Sequence, residues 1–380
     1  MRYGLFTSEH DALRDSVRSF VAKELRPNAD DWERASKFPR EVFARAGELG
    51  LFGMKFPPDV GGSGPDPVAD AVVIEEFTSC GSGGVAASLG AHKDLACLYL
   101  FNFGSPEQHR RWLVPALAGE IIGALGVTEP DAGSDVASLR TTARRDGGGW
   151  IINGSKMFIT NGAWADFVVV AAKTDPGATH GGITLFVVES GAPGFEARRI
   201  PTLGWRTSQT GEISLADVRV HDDCRIGDEG SGFLAIMRNF AWERLAMSLA
   251  QVASAQQSYE VARAYAHDRH VFGRPVAKFQ VWRHRFADMA TRIEASRALT
   301  YHALRRFIDD DNPIRESAMA KLHSSELAFQ VADECMQIHG GYGYMTEFPA
   351  ERVWRDARLG PIGGGTSEIM RELIGKSYGL

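Results

Sequence analysis

The sequence predicts a mainly α-helical protein with a β-domain set into the middle of the chain. Two observations carry this. Apolar residues recur at helical spacing from Ser8 to about Gly119, and again from Gly232 almost to Leu380. Between about Ile121 and Val220 that period gives way to short β-branched and aromatic runs punctuated by Asn-Gly dipeptides. The order is therefore helices, a compact antiparallel β-domain and a helical bundle, with no internal repeat.

The first helix is marked by a stripe of Leu13, Val17, Phe20, Val21 and Leu25, with Thr7 or Ser8 placed to cap it. Further helices are read over 39–49, 67–78, 83–103 and 106–118, separated by Pro, Gly and Asp clusters such as FPPDVGGSGPDP. In the middle, GWIING, SKMFIT, DFVVVAAK, ITLFVVE and EISLADVRV read as strands. Asn153-Gly154 and Asn161-Gly162 supply turns between them. Beyond Gly232 the helical pattern breaks near 272–275, 309–313 and 339–345.

Length and composition narrow the functional classes. A chain of 380 residues buries a large core and suggests two or three structural units. Its 44% apolar and 24% charged residues are those of a soluble globular protein. A net charge of −6 argues against a nucleic-acid backbone as partner, which demands a positive field. Cys80, Cys97, Cys224 and Cys335 form no CxxC pair, so neither a disulfide framework nor a metal site is expected. No run of about 18 apolar residues suggests a membrane span, and the charged start MRYGLFTSEHDALRD lacks a signal-peptide core. The expected location is the cytoplasm.

Several tempting motifs fail on their own terms. The GKS at 375–377 lacks the glycine that a phosphate loop needs five positions earlier, where Met370 stands, and reads as a helix end. GGYGYM follows no strand and is not a spaced GxGxxG fingerprint. His267 and His270 share an Arg-rich helix without a third ligand and read as a solvated face.

Five dense segments remain: VTEPDAGSD (127–135), INGSKMFITNG (152–162), RHVFGRPVAKFQ (269–280), QIHGGYGYMTEFPAERVWRDARL (337–359) and GGGTSEI (363–369). In this order the chain resembles the acyl-CoA dehydrogenases over essentially its whole length. The resemblance implies an N-terminal helical domain (1–120), a β-barrel-like middle domain (121–228) and a C-terminal four-helix bundle (229–380). It also implies FAD, a homotetramer built as a dimer of dimers, and α,β-desaturation of an acyl thioester on CoA or an acyl carrier protein, with electrons passed to an electron-transfer flavoprotein. By the same resemblance, Leu125, Val127, Thr128 and Ser134 face the flavin and the pantetheine chain, and Phe158 and Thr160 border the isoalloxazine. Arg269, Phe272 and Gln280 would reach the FAD of a neighbouring subunit. Gln337 and Gly341 make the other cross-subunit contact, and Thr366 and Glu368 lie near the subunit's own adenosine or pyrophosphate. Seen alone, each of these residues is ordinary helix packing; their joint order is what counts.

The reaction needs a carboxylate opposite the flavin to take the α-proton while the β-hydrogen leaves as hydride. In many relatives it is a Glu immediately before the Gly-Thr-Ser of the last segment, but here that position is Gly364. The long-chain and isovaleryl types carry the base in a Glu-Arg pair early in the C-terminal domain, and FAWERLAMS places Glu243 and Arg244 there. On this reading Gly363 and Gly364 clear space for Glu243. The Gly364 N–H donates to the thioester carbonyl, Ser134 and Arg244 contact the substrate, and Arg244 points towards CoA. Should Glu243 not serve, Glu368 and Glu372 are the next carboxylates. SLGAHKDLACLYLF (88–101) resembles the helix lining the acyl pocket, and its Lys93-Asp94 pair reads as an exposed helix face. A flavin oxidase or monooxygenase on the same fold, and a flavin-binding scaffold without a base, are the alternatives.

Overall fold

The computed structural model describes residues 3–178, 181–309 and 313–380. Its first part is helical: α1 (Ser8–Phe20), α2 (Ala29–Ala35), α3 (Glu41–Glu48), α4 (Pro67–Thr78), α5 (Gly83–Gly90), α6 (Leu98–Phe103), α7 (Pro106–Gln108) and α8 (Val114–Leu117). Thr7 caps α1: its hydroxyl accepts from the His10 N–H, and its own N–H reaches His10 Nδ1 at 3.0 Å. The predicted stripe is real, with Val17, Phe20, Val21 and Leu25 buried. Asp66 caps α4 by accepting from the Val68 and Ala69 amides, and Pro67 occupies the first helical position, where no N–H is missed.

The helix read over 83–103 is continuous, but α5 and α6 are joined by a widened π-helical segment, Ala91–Cys97. Here the structure corrects the reading of Lys93 and Asp94 as exposed. Both are buried, at 0% and 5% exposure, and both are neutralised by ion pairs with residues brought in from elsewhere in the first domain. A sequence window cannot show such partners.

The sheet runs in the order β6-β7-β3-β2-β4-β5-β8, with β1 added beside β4. Its strands are β1 (Gly123–Gly126), β2 (Thr142–Asp146), β3 (Gly149–Ile159), β4 (Phe167–Lys173), β5 (Ile183–Glu189), β6 (Phe195–Arg199), β7 (Gly211–His221) and β8 (Arg225–Ile226). Most pairs are antiparallel, but β1 lies parallel to β4, Gly123 opposite Phe167. The uninterrupted apolar runs of β4 and β5 are explained by burial on both faces. Val169, Ala171, Leu185 and Val187 join the helical core, while Val168, Val170, Phe186 and Val188 build a second core beneath β3 and β7 with Trp150, Ile152 and Ile213.

Asn153-Gly154 is not a hairpin turn. β3 runs straight through it, and the register against β7 shifts between Ile152 and Gly154 because β7 carries the extra residue, with Ala216 and Asp217 opposite Asn153. A Cβ on Gly154, at φ +150°, would lie 2.4 Å from Thr141 Oγ1, so the dipeptide marks a close approach of the neighbouring chain opposite the bulge of β7. Asn161-Gly162 does turn the chain, with Asn161 at φ +66° and its side chain donating to Ser88 O.

The last part comprises α9 (Gly232–Asp268), α10 (Gln280–Ile308), α11 (Ile314–His339), α12 (Pro349–Ala357) and α13 (Ser367–Ser377), whose end carries the GKS. The predicted breaks at 272–275 and 339–345 are a tight strand pair, His270–Val271 with Arg274–Pro275, and a 3₁₀ turn, Gly340–Tyr344; the third break falls partly outside the described residues. A buried polar junction ties the three parts together. Arg355 pairs with Glu33 at 2.6 Å, Ser82 donates to Glu33, and Asp356 accepts from the Gly83 and Trp205 amides. No helix among the described residues is long and apolar enough to cross a membrane.

Candidate active site

Glu243 sits in the fourth turn of α9. It is partly buried, and its Oε2 is covered by protein without a hydrogen-bond partner among the described residues. Burial pushes its carboxyl up to about 7, with Arg244 and Lys321 pulling it down and Asp94 pushing it further up. An uncompensated carboxyl of this kind suits proton abstraction near neutral pH rather than a structural ion pair. Arg244 is buried beside it, its guanidinium 5.2 Å from the centre of the Phe240 ring and its Nε without a partner. The hydroxyl of Tyr99, on α6, is likewise buried and unpaired, and Tyr99 faces both charged groups.

The glycine loop packs against the same helix. Gly364 (φ +61°) and Gly365 (φ +92°) adopt backbone conformations that disfavour a side chain. The space a side chain at 364 would enter is filled by Met247: a Cβ there would lie 2.3 Å from its Sδ. Met247 is one turn past Glu243, so the missing side chain is replaced by a thioether from the helix that carries Glu243, not by Glu243 itself. Among the described residues the Gly364 N–H has no partner, whereas the Gly363 N–H is taken by Leu359 O at 2.9 Å. Thr366 caps α13 by accepting from the Ile369 N–H, and Glu368 stands in the exposed first turn of that helix.

Lys321, on α11, connects these two halves and was missed from the sequence. It is fully buried, and its Nζ donates to Gly365 O at 2.5 Å. Burial lowers it to about 8, with Arg244 lowering it further and Glu243 raising it. It thus pins the glycine loop and presents a cation to Glu243. Its only trace in the sequence is a lysine on the apolar stripe of a helix.

A second cluster lies where β1 leaves the sheet. Leu125 is in β1, Val127 and Thr128 follow it, and the Met157 N–H donates to Thr128 O at 2.9 Å, which brings Phe158 and Thr160 alongside. Lys156 is buried there, donating to Val127 O and to Glu129 at 2.7 Å; neither Lys156 nor Glu129 was singled out from the sequence. Phe158 is held at φ +61° with 65% of its surface exposed. A bulky residue in the left-handed region with its ring in the open is strained without benefit to the core, and such strain collects at ligand-binding positions. The group fits the edge of a planar ring. Ser134 is exposed in the loop that follows.

The third group is remote. Arg269, Phe272, Gln280, Gln337 and Gly341 are all exposed, and the Arg269 guanidinium lies 5.9 Å from the centre of the Tyr342 ring. Phe272 is 95% exposed. At about 1.5 Å per residue, α9 carries Arg269 about 39 Å from Glu243. One chain therefore cannot bring both ends of this helix to one small ligand. A cavity of about 420 Å³ between α10 and α11, lined by Arg285, Arg292 and Phe329 among others, includes none of the predicted residues. Among the described residues no cluster could hold a metal ion.

Residues 7–120, 124–218 and 230–379 match, in turn, the N-terminal, middle and C-terminal domains of acyl-CoA dehydrogenase. The chain is 40% identical over 376 residues to the mitochondrial long-chain specific acyl-CoA dehydrogenase of Mus musculus, covering 98% of this chain and 87% of that one. It is 37% identical to the mitochondrial isovaleryl-CoA dehydrogenase of Oryza sativa, covering 98% and 91%. The crystal structure of a probable acyl CoA dehydrogenase from Mycobacterium abscessus superposes with a TM-score of 0.95 at 42% identity, covering 98% of this chain and all of that one.

Proposed function

Because the chain belongs to the acyl-CoA dehydrogenase family of flavin-dependent oxidoreductases, we propose that it desaturates an acyl thioester between its α and β carbons with Glu243 as the base. The flavin, read here as FAD, supplies the acceptor for the β-hydride. Glu243, poised near neutrality by burial, takes the α-proton on its carboxylate. The unpartnered N–H of Gly364 donates to the thioester oxygen as the α-carbon gives up its proton, a preorganised donor at the place where charge develops. Arg244 keeps a positive charge beside the base and orients the CoA side of the substrate. Leu125, Val127, Thr128, Phe158 and Thr160 hold the ring, with Ser134 towards the pantetheine and Thr366 and Glu368 towards the nucleotide end.

The distance along α9 supports a shared arrangement, in which Arg269, Phe272, Gln280, Gln337 and Gly341 serve the FAD of a neighbouring subunit in a homotetramer. Electrons then pass to an electron-transfer flavoprotein. Four buried, unpaired thiols suit a reducing compartment, the cytoplasm.

The observation that carries the reading is the unpaired, buried oxygen of Glu243 in a chain with glycine at 364. Glu243→Gln keeps the volume and removes the proton acceptor. Anaerobic flavin reduction by a good acyl-CoA should fall by about 10²–10⁴-fold with thioester binding little changed. Reduction at close to the wild-type rate would sink the assignment.

A further inference from the structure

The Lys93-Asp94 pair, singled out in the sequence and left unused by the chemistry above, belongs to a closed square of buried charges. Lys55 Nζ lies 2.5 Å from Asp94 and 3.3 Å from Asp70; Lys93 Nζ lies 2.7 Å from Asp70 and 2.8 Å from Asp94. All four side chains are at least nine-tenths buried, and the charges sum to zero. They come from three places in the first domain: the loop before α4, α4 itself and the π-helical segment. Stability does not account for them, because a buried ionic group is often no more stable than apolar side chains of the same volume. What charges provide and apolar groups do not is direction.

Among the described residues, the square's partner outside the first domain is a tryptophan. Trp242, buried in α9, donates its Nε1–H to Asp94 Oδ1 at 2.8 Å, and the Lys55 ammonium sits 3.9 Å from the centre of the same indole. The indole is thus held by an in-plane hydrogen bond and by a cation on its face. Trp242 immediately precedes Glu243. Successive side chains on a helix are about 100° apart, so fixing one azimuth fixes the next. The π-helical widening that brings Lys93 and Asp94 inward is a feature that recurs at functional sites.

We propose that the Lys55–Asp70–Lys93–Asp94 square is a positioning device for the base, which through Trp242 sets the rotation of α9 and hence the direction of Glu243. The inference rests on the reading of Glu243 as base. Asp94 and Trp242 are positioning residues: neither takes part in proton or hydride transfer.

The test is Trp242→Phe in the holoenzyme, which leaves all four charges in place and keeps a ring under Lys55 while deleting the N–H. The limiting rate of flavin reduction should fall about tenfold, the equivalent of one hydrogen bond to a charged acceptor, with the dissociation constant of the acyl-CoA within about twofold. Backbone hydrogen exchange over 239–247 should quicken, a readout that does not depend on turnover. Asp94→Asn should lower the rate similarly and also move the acid limb of reduction to lower pH. The charged and titratable groups facing Glu243 are Arg244 on its own helix, Lys321 on α11, Tyr99 on α6 and Asp94, and the variant removes the anion among them. Trp242→Phe with wild-type reduction and unchanged exchange overturns the proposal. If Glu243→Gln is inactive while Trp242→Phe is normal, the positioning role alone has failed. If Glu243→Gln is active, the base assignment has failed, and the positioning role with it.

Discussion

With its carboxyl near 7, Glu243 is about one-tenth ionised at pH 6, half at pH 7 and nine-tenths at pH 8. Only the ionised form takes a proton. The ratio of limiting reduction rate to substrate dissociation constant, which reports the free enzyme, should therefore climb about tenfold from pH 6 to pH 8 along a single limb. Anaerobic stopped-flow mixing with one acyl-CoA across that range measures it. Lys321 keeps its proton until about 8 and so stays cationic while Glu243 titrates. Lys321→Met should move the limb to higher pH, because a cation that favours the carboxylate is gone. An independent sign comes from stability. The folded carboxyl is raised above its unfolded value of 4.5, so its contribution is fully present below about 4.5 and lost as pH rises through about 7. The melting temperature of Glu243→Gln relative to wild type should thus rise between pH 5 and pH 8. A flat rate profile, or a limb that persists in Glu243→Gln, refutes the reasoning.

Two further tests address the loop and the remote cluster. In the Glu243→Gln background, Gly364→Glu should return part of the lost rate, at a cost of about 1–2 kcal/mol for a side chain in the left-handed region. Adding Met247→Ala should raise the recovery by removing the sulfur that the new Cβ would strike; no recovery in either protein means that position 364 does not reach the substrate. Arg269→Ala, at an exposed site about 39 Å along α9 from the base, should lower the flavin retained through gel filtration while leaving the chain folded by circular dichroism. Unchanged flavin content counts against the shared arrangement.

The order of helices, strands and bundle was legible because it rests on local periodicity, and so were the cap at Thr7 and the turn at Asn161, whereas the cap at Asp66 emerged only from the structure. Failures arose where a residue's state depends on distant chain. Asn153-Gly154 has the composition of a hairpin turn, yet Thr141 crosses too close for a side chain at 154, and the dipeptide lies within β3 opposite a bulge of β7. Lys93 and Asp94 look solvated because charge in a helix usually is. Their burial depends on Asp70, 23 residues before Lys93, and Lys55, 39 residues before Asp94, and on a widened turn that no local pattern announces.

The site divides along the same line. A Glu-Arg pair on a helix carries no signal by itself, and Glu243 was picked out only through the family resemblance, which offers a second position for the base where 364 is glycine. The structure adds what that argument lacked: an unpaired oxygen, a raised carboxyl, and a buried lysine holding the glycine loop against the same helix. It also changes the role of the glycines. The side chain removed at 364 makes room for Met247, a polarisable group that can yield to ligands of different shape, so the loop meets Glu243 through one turn of α9 instead of by direct approach. Lys321 completes this arrangement from the opposite helix. A mutation at Met247 or Lys321 should therefore act on the base and on the loop together, whereas one at Trp242 should act on the base alone.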